Sequence, residues 1–143
     1  MSNALGRWPI RVELRVAWGD MDAFRHVNNT VFLRWFESAR IAYFERVGLV
    51  DYDRVGPILA RATIQFRRPV TYPDTVAVEA SITRLGTTSF EMQYRATSRS
   101  QNVAIVAEGD STIVMFDYSA GSKVALSASL RAAIEALEAT GVG

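Results

Sequence analysis

The strongest constraint in this sequence is a helix with almost no polar side. From Thr30 to Val47 the apolar residues Phe32, Phe36, Ala39, Tyr43 and Val47 recur at helical spacing. Val31, Trp35, Ala42 and Phe44 widen that stripe until the polar face is narrow, carried mainly by Arg34, Glu37, Ser38 and Glu45. Asn28 or Asn29 can cap the start and Gly48 can end it, for a length of roughly 27 Å. Such a helix must be nearly engulfed, and everything around it reads as strand. Arg11–Ala17 alternates, with Val12, Leu14 and Val16 on one face. Ile58–Arg67 places Ile58, Ala60, Ala62, Ile64 and Phe66 on one side, and Thr75–Arg84 and Ser89–Ser98 alternate likewise. Val103–Phe116 is apolar on both faces, as a central strand would be, with Gly109 marking a bulge. Leu126, Leu130, Ile134 and Leu137 outline a short C-terminal helix.

Short turns, including the Gly86 hairpin at Leu85–Thr88, join successive strands. The expected fold is therefore α+β: a curved antiparallel β-sheet wrapped around a long central helix, as a single domain over residues 1–143. One sheet and one helix leave an edge or a sheet face uncovered, so a homo-oligomer of at least two subunits is expected.

Composition narrows the chemistry. The chain has no cysteine and one histidine, His26, which removes disulfides, thiol nucleophiles and cysteine-based metal sites. Sixteen Lys+Arg against 15 Asp+Glu leave a net charge of +1, with no bulk field to attract nucleic acid. No apolar run approaches a membrane span, and the MSNALGRW start lacks the pattern of a secretory signal, so a soluble cytoplasmic protein is expected.

What chemistry remains falls in one segment, Gly19–Asn29, which carries Asp20, Asp22 and His26 just ahead of the helix. Helix starts present unpaired N–H groups and partial positive charge, which can hold a carbonyl oxygen and the oxyanion formed on attack. A carboxylate beside it can attack the carbonyl carbon or deprotonate a water that does so. The plain structural alternative is ordinary turn chemistry: Asp20 as a turn former, His26 as a hydrogen-bonded loop residue, and the two asparagines as caps.

The run VAWGDMDAFRHVNN (Val16–Asn29), followed by TVFLRWFESARIAYFERVGL, resembles the 4-hydroxybenzoyl-CoA thioesterase-like branch of the hot-dog superfamily. That pattern reads as an aromatic, G-D-x-D, three residues, H-V-N-N, then an aromatic-rich helix containing E-x-A-R, supplied here by Glu37, Ala39 and Arg40. The resemblance extends to FRRPV (Phe66–Val70) and to the LGTTSF hairpin (Leu85–Phe90). It implies a hot-dog fold and an acyl-CoA thioesterase without cofactor, acting on an acyl-CoA or acyl-carrier thioester as a homodimer or homotetramer. It further implies that Asp22 is the catalytic nucleophile or general base and that the backbone N–H near Asn29 polarises the thioester carbonyl. His26 would orient the carboxylate or water. Arg67 and Arg68, or Thr88 and Ser89 of the hairpin, would contact the substrate's nucleotide portion. Two positions depart from the pattern. Arg25 stands where glycine is usual, and Thr87 replaces a basic residue of the hairpin. Two other functions compete with this one: a hot-dog hydratase or dehydratase, whose D-x-N-P-x-H spacing is missing here, and a non-catalytic acyl-binding domain.

Overall fold

The computed structural model describes residues 8–140. Its elements are β1 (Ile10–Arg15), α1 (Asn29–Arg46), β2 (Val55–Phe66), β3 (Thr75–Leu85), β4 (Ser89–Ser98), β5 (Ala104–Asp117), the two-residue β6 (Ser122–Lys123) and α2 (Ala128–Thr140). Short 3₁₀ turns at Trp18–Asp20 and Arg99–Gln101 complete the list. All strand pairs are antiparallel, in the order β1-β3-β4-β5-β2, with β6 added beside β5. The sheet curls around α1, which is the hot-dog arrangement.

The alternation seen in the sequence becomes the core. Val76, Val78, Ala80 and Ile82 of β3 and Phe90, Met92, Tyr94 and Ala96 of β4 are all buried. They meet Phe32, Trp35, Phe36, Ala39, Tyr43 and Phe44 on the inner stripe of α1. Opposite that stripe, Leu33, Arg34, Glu37, Ile41 and Glu45 are exposed within the protomer, so the helix is wrapped on one side and not engulfed. Arg40 is a second difference: it lies on the buried stripe.

Two register readings are corrected. Gly109 is no bulge; it faces Tyr94 and Ile64 in unbroken register. A Cβ there would lie 2.3 Å from Thr63 O and 2.8 Å from Phe36 Cε2, so glycine is needed because strand and helix approach too closely for a side chain. The bulge of β5 falls at Val106, where Ala96 pairs with Ala107 and Thr97 with Ile105. In β2 a register shift between Leu59 and Arg61 switches the inward face. Leu59, Ala62, Ile64 and Phe66 pair with Ile113, Ser111, Gly109 and Ala107 of the inner side of β5, whereas Ile58 and Ala60 do not share their face.

α2 closes one end of the sheet with Leu130, Ile134 and Leu137. Tyr43 Oη and the Ile82 amide both donate to Glu138 Oε2, at 2.5 and 2.9 Å. Burial pushes the Glu138 carboxyl above its ordinary range, against the lowering effect of those two donors. No helix among the described residues is long and apolar enough to cross a membrane.

Candidate active site

The segment between β1 and α1 folds back on itself before the helix begins. The Asp22 amide donates to His26 O at 3.0 Å and the Arg25 amide to Asp22 O at 2.9 Å, while Met21 and Val27 form an antiparallel bridge. The Val27 amide ties the loop to Val70 O at 2.8 Å. Arg25 sits at the tip with φ +65°. This left-handed conformation is one that glycine adopts freely, and here arginine carries its steric cost.

Asp22 is half-buried and held from two sides. Its Oδ1 accepts from the Phe24 amide at 2.9 Å, and its Oδ2 accepts from Asn28 Nδ2 at 3.1 Å. Asn28 has a second task as the helix cap, its Oδ1 accepting from the Thr30 amide and hydroxyl, each at 2.8 Å. The Asn29 amide, first in the helix, donates to no acceptor among the described residues. A fixed carboxylate and an unused amide therefore stand together at the positive end of an 18-residue helix.

The other predicted residues fall as follows. Asp20 is a turn former: its Oδ2 accepts from the Ala17 amide at 2.8 Å and its Oδ1 lies 3.7 Å from an Arg34 nitrogen. His26 is exposed, and its ring forms no hydrogen bond among the described residues. Arg67 and Arg68 lie at the same end of the sheet as Asp22, their amides both donating to Val106 O. Arg67 is ion-paired with Glu108 at 3.1 Å; Arg68 is exposed without an ion pair among the described residues. Thr88 and Ser89 are at the far end. Ser89 pairs with Val114 and Phe66 with Ala107, which separates the two pairs by about 23 Å along β5 within one protomer. Among the described residues no cluster of three or more His, Asp or Glu side chains could hold a metal ion.

Two features escaped the sequence. Asn28 read only as a cap, since nothing in its spacing shows which atom its amide nitrogen meets. A cavity between α1 and the β2–β5–β4 surface was equally hidden, although an arginine on an apolar helical stripe was a signal that something polar is buried there.

Fold and site together define a thioester hydrolase of the hot-dog class. The chain belongs to the thioesterase-like superfamily, whose family model matches residues 16–134. Among solved structures it is similar to a candidate thioesterase from Pseudomonas aeruginosa, at 32% identity and TM-score 0.82 over 90% of this chain and 99% of that one. It is also similar to a thioesterase from Thermus thermophilus complexed with coenzyme A and Zn, at 32% identity and TM-score 0.81 over 92% and 96%. A 1,4-dihydroxy-2-naphthoyl-CoA thioesterase from Synechocystis shares the fold at 20% identity and TM-score 0.80, over 90% and 97%.

Proposed function

We propose that this chain hydrolyses acyl-CoA thioesters with Asp22 as the catalytic carboxylate. The observation that carries the reading is the pairing of Asp22, fixed by Phe24 N–H and Asn28 Nδ2, with the unused Asn29 amide at the helix start. The thioester oxygen accepts from that amide, which draws electron density from the carbonyl carbon. Asp22 then removes a proton from water as the C–O bond forms, or itself attacks to give an acyl-enzyme anhydride that water cleaves. Either way the tetrahedral oxyanion rests on the helix start, the C–S bond breaks, and CoA leaves as a thiolate that takes up a proton. A donor aimed at such an oxyanion is worth about 3–4 kcal/mol of barrier. Water is the sole co-reactant, and CoA is part of the substrate. An acyl-CoA pool of this kind is met in the cytoplasm.

We propose a homodimer formed through β2, or a tetramer built from such dimers. β2 hydrogen-bonds β5 on one side only and exposes Ile58, Leu59 and Phe66, the kind of long apolar edge that isolated proteins seldom leave open. Antiparallel pairing of two such edges would set the Thr88–Ser89 hairpin of one copy at the end that carries Arg67, Arg68 and Asp22 of the other. The four residues proposed for the nucleotide portion would then converge across the dimer.

Free-thiol release from a panel of aromatic and aliphatic acyl-CoA substrates tests the reaction, without background because the protein has no cysteine. Asp22→Asn should retain fold and oligomer and lose turnover by at least about 100-fold. Near-wild-type hydrolysis by that variant would refute the assignment.

A further inference from the structure

The positive charge of Arg40 takes no part in the hydrolytic step. It sits on the inner stripe of α1, only 8% exposed. One guanidinium nitrogen donates to Tyr94 Oη at 3.1 Å, and Tyr94 Oη lies 2.6 Å from Ser111 Oγ. No carboxylate among the described residues pairs with it. A desolvated guanidinium is costly unless an anion meets it, so buried arginines are normally paired or ligated. The remaining N–H donors are not sealed inside protein, since Ser81 Oγ alone among the described side-chain atoms is both enclosed and unpaired. Arg40 is among the residues that line the adjoining cavity.

That cavity holds about 390 Å³. Its inner wall is apolar and aromatic, with the Phe36 ring stacked on Tyr94 at 5.0 Å and 13°, and Ile64 faces them from β2. Arg40, Tyr94 and Ser111 form one polar spot on this lining. Helix geometry sets the scale. Arg40 lies about 16 Å along the axis from Asn29, and helical side chains lean back toward the N-terminus, which leaves roughly 10 Å between the guanidinium and the helix start. Neighbouring charges do not satisfy it. Asp110 and Glu37 also line the cavity, but Asp110 is held by Arg61 at 2.8 Å, and Glu37, exposed to solvent, forms no ion pair with Arg40.

We infer that this cavity receives the acyl group of a thioester carrying a second carboxylate at its far end, bound by Arg40 with Tyr94 and Ser111. The inference rests on the thioesterase reading and names its substrate class. A ring hydroxyl or ketone in that position would accept a hydrogen bond but leave the guanidinium charge uncompensated. A carboxylate satisfies both demands, and the apolar walls accommodate the carbon chain between the two ends.

Matched substrates test it: suberyl-CoA against octanoyl-CoA, and sebacyl-CoA against decanoyl-CoA, by initial rates of thiol release. The wild-type protein should prefer the carboxylated member of a pair by at least about tenfold in kcat/KM. Arg40→Met, checked for folding by circular dichroism, should bring that ratio close to one, and Arg40→Lys should restore part of it. In parallel, free suberate should raise the Tm of the wild type more than octanoate does, and Arg40→Met should lose the difference. Equal kcat/KM within both pairs, or an unchanged ratio in folded Arg40→Met, overturns the inference. If no thioester is cleaved while suberate stabilises the wild type alone, the carboxylate site stands and the hydrolytic reading fails. If octanoyl-CoA is cleaved and suberate has no effect, only the carboxylate site falls. Should Arg40→Met not fold, the wild-type ratio and suberate shift decide the matter.

Discussion

Asn28 joins the stability of the helix to the chemistry of the site, and two substitutions separate these roles. Its Oδ1 caps α1 through the Thr30 amide, and its Nδ2 holds Asp22 Oδ2 at 3.1 Å. Asn28→Ser keeps a capping oxygen, so it should be more stable than Asn28→Ala by about 1 kcal/mol. Both remove a hydrogen bond to a carboxylate, an interaction worth about 1.5–3 kcal/mol, so kcat should fall roughly 10- to 100-fold if that bond holds Asp22 in its reactive position. Asn28→Asp is more telling. It caps as well as asparagine but sets a second carboxylate against Asp22, and two such groups cannot ionise independently. The acid limb of the kcat/KM–pH profile should then move to higher pH, and by linkage the thermal transition at neutral pH should fall. Thiol release across pH 4–9, with Tm measured on the same samples, reads both effects. An Asn28→Asp variant with the wild-type rate and an unmoved acid limb would show that Asn28 is only a cap, and would remove the main support for Asp22 as the reacting group.

Arg25→Gly should raise stability by about 1 kcal/mol, seen as a Tm increase of a few degrees, because Arg25 occupies φ +65°; an unchanged or lower Tm contradicts that. Gly109→Ala should lower stability by more than about 2 kcal/mol, since the added Cβ meets Thr63 O of the neighbouring strand as well as Phe36; a Tm within a degree of wild type would refute the close approach. Asp74 and Glu138 should give opposite pH signatures. Burial alone would raise the Asp74 carboxyl, but the hydroxyl of Ser98 and the amides of Ser100 and Thr75 outweigh it and hold the group below its ordinary range. Its stabilisation is therefore present above the unfolded carboxylate pKa and disappears as pH falls through the lower folded value. Glu138, raised chiefly by burial, costs stability as pH climbs from the unfolded value through the folded one. In denaturation curves from pH 2 to 7, Asp74→Asn should lessen the acid-side loss, and Glu138→Gln should remove a decline toward neutral pH. Curves parallel to wild type would refute both signs.

The fold was legible because two periodicities leave little choice. A helix with Phe32, Phe36, Ala39 and Tyr43 on one stripe, followed by strands such as Val76–Ile82 and Phe90–Ala96 that each bury one face, needs a sheet that bends around it. The places where that reading slipped are register events. The shift at Leu59–Arg61 and the bulge at Val106 depend on how two strands meet, and no single strand records its partner's offset. Gly109 looked like a bulge for the same reason: its actual constraint, the closeness of Thr63 and Phe36, comes from residues 46 and 73 positions away.

The sequence by itself determined the class of protein and pointed to the segment where we propose its chemistry lies. Without cysteine and with a single histidine, the available reagents were carboxylates, hydroxyls, backbone amides and one imidazole, and Asp22 stands with that histidine in one short loop closed by local hydrogen bonds. Local hydrogen bonding is written in spacing. Tertiary structure decided which groups meet over distance. It assigned Asn28 Nδ2 to Asp22, left the His26 ring exposed, parted Thr88 and Ser89 from Arg67 and Arg68, and brought Arg40 of the helix onto Tyr94 and Ser111 of the sheet. Those encounters follow from sheet curvature and helix rotation, which arise only when all the elements pack at once.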